Sequence, residues 1–206
     1  MKLYYSPGAC SLAPHIVASE AGIPIELVKV DLVSHKLADG TDYYTINPRG
    51  YVPLLELDDG TRITEVVAIV QYLADSKGAT NLAPAAGTFE RVRLNQWLAF
   101  ISSELHKVFS PWLWHKETAE STKQSVKDRL ATRFKELDAL LAKQDYVLGK
   151  QFTIADAYAY TIVNWSNFLG ISLKAYPALS AYLLRVAARP KVQEALGAEG
   201  LLKKAA

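Results

Sequence analysis

The chain of 206 residues is 50% apolar and 21% charged, enough material for one large or two small buried cores. With 23 basic against 21 acidic side chains its formal charge is only +2, too little for an electrostatic grip on nucleic acid, and no apolar run nears the roughly 20 residues that cross a bilayer. The single cysteine excludes an internal disulfide, and residues 1–20 lack the basic start and long apolar core of a signal peptide, so a cytoplasmic protein acting on a small molecule is expected.

In chain order, KLYYS predicts a strand, SLAPHIVASEAG a helix closed by Gly22, and IELVKVDL a second strand. TDYYTINPRG follows as an irregular stretch with room for a short helix. YVPLLELDDGTRIT then predicts two short strands around an Asp-Asp-Gly turn, and EVVAIVQYLAD a helix. The order is βαβ, a short helix, then ββα, a βαβαββα domain over residues 1–80.

NLAPAAGT, small and proline-bearing, reads as a linker, and the spacing beyond it is helical almost to the end, which sets residues 88–206 as an all-helical domain. One long helix is expected over 88–115, with Phe89, Val92, Trp97, Ile101, Leu105 and Val108 as its stripe. A second is expected over 121–143, with Val126, Leu130, Phe134, Leu137 and Leu141 buried. At FTIADAYAY, Thr153 followed three residues later by Asp156 fits a capping box, a structural role for a carboxylate inside an apolar segment.

Cys10 falls where the first strand turns into the first helix, after Pro7 and Gly8. Unpaired N–H groups and the helix dipole there favour a thiolate. A small, buried, inert thiol is the competing reading. Tyr5 and Ser11 each offer a hydroxyl to a bound thiolate. Residues 10–13 read CSLA rather than CxxC, so any disulfide formed by Cys10 is mixed, with an external thiol.

Val52-Pro53 precedes a strand. Proline there is either a plain strand start or a cis turn that leaves the Val52 backbone to pair with a peptide-like ligand. Glu65 opens the next helix, where it either caps the helix or, with the free N–H groups, receives a ligand bearing an ammonium and a carboxylate.

Together, KLYYSPGACSLAPHI, INPRGYVPLLELDDG, TEVVAIVQYLAD, SSELHKVFSP, FTIADAY, ARPKVQEAL and AEGLL resemble a cytosolic glutathione transferase of the bacterial beta class, over essentially the whole chain. The first and fourth are specific to the class. The resemblance implies a thioredoxin-like N-terminal domain, an all-helical C-terminal domain, a homodimer, and glutathione held mainly by the first domain. Cys10 matches a cysteine that contacts glutathione and can bond to it. Val52 and Pro53 match the pair that meets its cysteinyl backbone, and Glu65 with Val66 the pair that receives its γ-glutamyl end. Ser103, Glu104, His106 and Lys107 match the helical segment lining the site, with His106 joining Cys10, Tyr5 and Ser11 as candidate stabilisers of the sulfur. VFSPWLWHK, through Phe109, Trp112 and Trp114, extends the pocket for a hydrophobic electrophile or forms ordinary core.

Two positions depart from the class pattern. Val66 stands where a small hydroxyl residue is usual and offers only its N–H; a lost hydrogen bond to a charged group costs roughly 1.5–3 kcal/mol. His35, with Lys36 beside it, stands where lysine is usual and is mostly neutral at pH 7. Modest glutathione affinity is expected.

His15, His35, His106 and His115 have no metal-ligand spacing, and GxSxG, GxGxxG and phosphate-loop motifs are missing, so no metal and no nucleotide are expected. The expected activity is conjugation of glutathione to small aromatic or halogenated electrophiles. Thiol-disulfide exchange and reductive dehalogenation are the alternatives within that site, and a non-catalytic binder of the same fold is the rival from another class.

Overall fold

The computed structural model describes residues 1–202 and divides into two compact units, Met1–Ala83 joined by the chain from Ala188 onward, and Pro84–Ala187. The second domain expected at 88–206 is thus shorter as a packing unit. Its last helix groups with the first unit, and residues 203–206 lie outside the described part.

In the first unit, β1 (Lys2–Tyr5), β2 (Glu26–Asp31), β3 (Lys36–Leu37), β4 (Leu54–Glu56) and β5 (Arg62–Thr64) form a sheet ordered β3-β2-β1-β4-β5. β1 runs parallel to β2, pairing Leu3 with Leu27, and antiparallel to β4, pairing Leu3 with Leu55. As the central strand it buries Leu3, Tyr4 and Tyr5 together rather than alternately. The Asp-Asp-Gly turn forms as predicted: Leu57 N–H reaches Thr61 O, and Asp59 accepts the Thr61 N–H.

Helix α1 (Leu12–Glu20) crosses from β1 to β2 and is buried from Leu12 through Ala18, because α2 (Val66–Ser76) and α9 (Pro190–Ala198) both pack on it. Arg189, at the start of α9, holds Glu20 at its end through bonds of 2.6 and 2.8 Å. The short helix expected in 41–50 is a single 3₁₀ turn, Tyr43–Thr45. The two-residue β3 before it is too short to leave a periodic signal. Tyr4, Val30, Tyr43, Val52 and Leu54 form a cluster on one face of the sheet.

The helical unit begins with α3 (Phe89–Phe100), capped by Thr88, whose hydroxyl accepts the Arg91 N–H. The helix continues as a π-helical segment, Ile101–His106, and the short α4 (Lys107–Phe109). It stops there rather than at 115 because Pro111 disfavours helical backbone at Ser110, which is extended. The buried stripe is Leu94, Leu98, Ile101, Leu105 and Val108; Phe89 and Val92, expected inside, are 67% and 58% exposed. α5 (Glu120–Leu141) buries the five residues expected of it.

α6 (Ile154–Val163) opens on the expected capping box, Thr153 N–H donating to Asp156 at 2.8 Å. The fully buried carboxylate also accepts from Val147 N–H, the Thr153 hydroxyl and the Tyr182 hydroxyl. Burial outweighs these donors and pushes its pKa up to about 6. α7 (Trp165–Phe168) and α8 (Pro177–Ala187) complete this unit.

Candidate active site

The turn from β1 into α1 carries Cys10. Gly8 takes φ 71°, a left-handed conformation that suits glycine, and Ala9 N–H closes on Ser6 O at 3.0 Å. Ser11 is fully buried and spends its hydroxyl on this turn, accepting from Ser6 N–H and donating to Ser6 O, both at 3.2 Å. Its expected place beside a bound thiolate is therefore corrected. The same bracketing leaves Cys10 half-buried, its thiol donating to the Val52 carbonyl at 3.2 Å. Val52-Pro53 is cis, and its carbonyl, expected free for a ligand, already carries the thiol.

The loop before Val52 is fixed from below. Tyr43 Oη and Asn47 Nδ2 both donate to Tyr51 O, at 2.8 and 2.7 Å. His35, at φ 52°, lays its ring on Tyr44 with centroids 4.6 Å apart. Its Nδ1 is sealed from solvent without a partner among the described residues, leaving Nε2 as the nitrogen able to reach a ligand. Gly50, at φ +67°, makes this possible: a Cβ there would meet Tyr44 Cε1 at 2.7 Å and His35 Nδ1 at 3.0 Å. Lys36 is exposed on β3.

Glu65 precedes α2 at φ 70°, strain of the kind that gathers at functional positions. Its side chain makes no cap; it turns outward, 3.4 Å from Arg49. The first N–H groups of α2 thus keep their capacity for an anion. Val66 sends its side chain into the core. Tyr5 is buried, and burial together with the Glu199 carboxylate raises its pKa, so its hydroxyl remains a donor at neutral pH.

In the helical unit, the π-helical segment carries Ser103, Glu104 and His106, and Lys107 N–H closes it on Ser102 O. Such bulges often sit at functional positions because the extra residue re-aims the side chains around it. His106 Nδ1 is 2.7 Å from the Tyr158 hydroxyl, with Trp165 edge-on at 5.1 Å. Burial, with some help from Lys107, lowers its pKa to about 4, so the ring is neutral at physiological pH. Glu104 does not stand open for a ligand: Arg133 Nε and Nη2 reach its Oε2 at 2.9 and 2.7 Å, and Arg129 bonds both oxygens at 3.0 Å. These arginines hold its carboxyl below the usual range.

Ser103 is exposed and donates to Ala99 O, one helical turn back. Phe109 is fully buried against Phe134 and Trp165, the core placement among the two alternatives its sequence left open. Trp112 and Trp114 remain 47% and 45% exposed. A shallow groove of about 290 Å³ runs between Trp112, Ser103, Lys107 and α5.

Residues 8–76 match the family profile described as glutathione S-transferase, N-terminal domain, and residues 100–190 the profile for the C-terminal domain. The glutathione S-transferase GstA of Escherichia coli O157:H7 is 44% identical over 201 residues, spanning 98% of this chain and all of that one. The chain belongs to the glutathione S-transferase family. Among solved structures, the bacterial transferase BphK, in a ternary complex, superposes with a TM-score of 0.94 at 52% identity, covering 98% of this chain and all of that one. A beta-class glutathione S-transferase of Sphingomonas chungbukensis gives 0.93 at 44% identity with the same coverage.

The protein is accordingly an enzyme of the beta-class glutathione S-transferases, built on the thioredoxin-like and helical domains of that family, with glutathione as co-substrate. Among the described residues no group of His, Cys, Asp or Glu could hold a metal, and no helix is long and apolar enough to cross a membrane. Sequence reasoning missed Asn47, Tyr43, His15 and Glu199 around the transferase's N-terminal half-site. Asn47 left a signal, since Asn-Pro favours a turn; the Tyr43 bond to Tyr51 O leaves no motif, and His15 and Glu199 meet across 184 residues.

Proposed function

We propose that this enzyme adds the sulfur of glutathione to small hydrophobic electrophiles, aromatic or halogenated. The observation that carries the reading is the 3.2 Å contact between Cys10 Sγ and the Val52 carbonyl, which sets a thiol on the backbone edge suited to pairing with a cysteinyl peptide. Glutathione lies along Val52-Pro53 with its γ-glutamyl carboxylate on the Val66 N–H, its ammonium on Glu65, and its glycyl carboxylate toward His35 and Lys36. The incoming cysteinyl backbone competes for the Val52 carbonyl and releases the Cys10 S–H toward the glutathione sulfur. Tyr5 supplies a second donor.

The chemical step is displacement. The glutathione thiolate forms a C–S bond, the C–halogen bond breaks, halide leaves with the electron pair, and the thiol proton passes to water. Binding the thiolate among fixed donors lowers its pKa and preorganises attack. Trp112 and Trp114 give the helical unit an apolar surface suited to a hydrophobic electrophile. The enzyme works as a cytoplasmic homodimer, for which exposed Phe89 and Val92 offer apolar area.

Titration calorimetry with glutathione and an assay on a chlorinated nitrobenzene test this. Saturable binding with halide-releasing turnover supports conjugation; tight binding without turnover on any electrophile makes the protein a binder instead. Because Cys10 is half-buried rather than sealed, exchange through a mixed disulfide is the second reading. An adduct of about 305 Da in intact mass, removed by reductant, would establish it.

A further inference from the structure

Tyr158 stands on α6 and is only 1% exposed, yet its hydroxyl reaches Nδ1 of His106 at 2.7 Å, across 52 residues of chain. The π-helical turn prepares that meeting. Lys107 N–H closes on Ser102 O, five residues back, and the extra residue re-aims His106 against α6. The imidazole meets the Tyr158 ring edge to face with centroids 5.8 Å apart, and Trp165 stands edge-on to it at 5.1 Å. Its plane is thus held from two sides. Trp114 lies edge-on to the same Trp165 at 5.6 Å, so His106 and an exposed tryptophan share one support. His106 Nε2 makes no bond among the described residues and is not sealed from solvent, which leaves it open to a ligand.

With the ring neutral at physiological pH, a single proton lies between Tyr158 Oη and His106 Nδ1. Acidity decides its owner. A phenol is a stronger acid than a neutral imidazole N–H, and an imidazole nitrogen is a far better acceptor than a phenol oxygen. The bond made at one ring nitrogen then sets the proton on the other. We infer that Tyr158 is the positioning residue for His106: its O–H donates to Nδ1, fixes the imidazole as the Nε2–H tautomer and so gives the enzyme an uncharged N–H donor for the glutathione sulfur. In the opposite tautomer Nε2 would turn a lone pair to the thiolate and repel it. An imidazolium would grip the resting thiolate more tightly and blunt its attack.

The use of this donor rests on the proposed conjugation, whereas the tautomer is read without glutathione. Long-range proton–nitrogen spectra of enzyme labelled with nitrogen-15 in histidine separate a ring nitrogen that carries hydrogen from one that does not, and His106→Gln identifies the His106 signals among the four histidines. In the wild type at pH 7, Nδ1 should be bare and Nε2 protonated. Tyr158→Phe keeps the ring and removes the hydroxyl. It should move both nitrogens toward the positions of a tautomer mixture and lower kcat on a chlorinated nitrobenzene about three- to tenfold, with KM for glutathione within about twofold. A lower melting temperature with unchanged nitrogen signals is what a merely structural hydroxyl predicts, and it overturns the inference. An unchanged kcat overturns it even if the signals move, and so does a wild type with hydrogen on Nδ1. If Tyr158→Phe does not fold, the wild-type spectrum decides. A wild type that turns over no electrophile counts against the proposed function instead and leaves the tautomer result standing.

Discussion

The thiol of Cys10 donates to the carbonyl oxygen of Val52 at 3.2 Å, joining two segments 42 residues apart. Under the proposed function, a ligand backbone pairing with that carbonyl would compete with the thiol for it. In that reading the sulfur enters the site as a donor whose availability depends on the ligand.

Cys10→Ala removes this donor but leaves the Val52 backbone and the start of α2 intact. Conjugation should fall by about tenfold rather than vanish, since one hydrogen bond to a charged sulfur contributes roughly 1.5–3 kcal/mol. Any glutathione adduct should disappear. Steady-state rates with a chlorinated nitrobenzene, beside intact mass, check both.

At the head of α2, Glu65→Ala should weaken glutathione binding at least tenfold by calorimetry while leaving the melting temperature nearly unchanged, because the side chain is exposed and caps nothing. Val66→Ser should do the reverse. Its hydroxyl adds a contact for the γ-glutamyl carboxylate and tightens binding, while loss of a buried apolar side chain costs about 1–2 kcal/mol of stability by denaturant titration.

Two buried groups of the helical unit titrate with opposite sign. His106 is lowered from 6.5 to about 4, so the stability it contributes is present above pH 6.5 and lost as pH falls through 4. Asp156 is raised from 3.8 to about 6, so its contribution is present below 3.8 and lost as pH rises through 6. Between pH 4 and 6 the two slopes offset each other. His106→Gln removes the first alone. Relative to wild type, its unfolding free energy should decline with rising pH in that window by about 1.4 kcal/mol per unit.

Gly50→Ala should cost about 1–2 kcal/mol, through its left-handed backbone and the 2.7 Å approach to Tyr44. Because the same Cβ meets His35, glutathione binding should weaken as well, and calorimetry beside thermal melting separates the two effects. Gly60→Ala shares the positive φ but meets nothing within 4 Å, so it should lower stability and leave binding unchanged.

Local chemistry made much of the molecule legible. The Asp-Asp-Gly hairpin, the five-residue face of α5 and the Thr153–Asp156 box each depend on residues within a turn or two of one another, which spacing encodes. The long helix over 88–115 was misread because Pro111 was outweighed by apolar periodicity on either side. The partners of Glu104, Ser11 and Phe109 were not legible because a motif gives a residue's place in the chain, while its partner decides where the side chain goes.

The sequence by itself determined the βαβ and ββα runs of the first unit, the helical character of the second and the placing of one thiol at a strand-to-helix turn, since these follow from short-range spacing, while the family was legible only as a resemblance carried by its motifs. Only the tertiary structure decided the state of that thiol. Its neighbours, the Val52 carbonyl and the Gly8–Glu199 contact, come from chain segments 42 and 191 residues from their partners. Hydrogen bonds and fields fall off with distance in space, and no local pattern records which distant residues folding will bring within 3 Å.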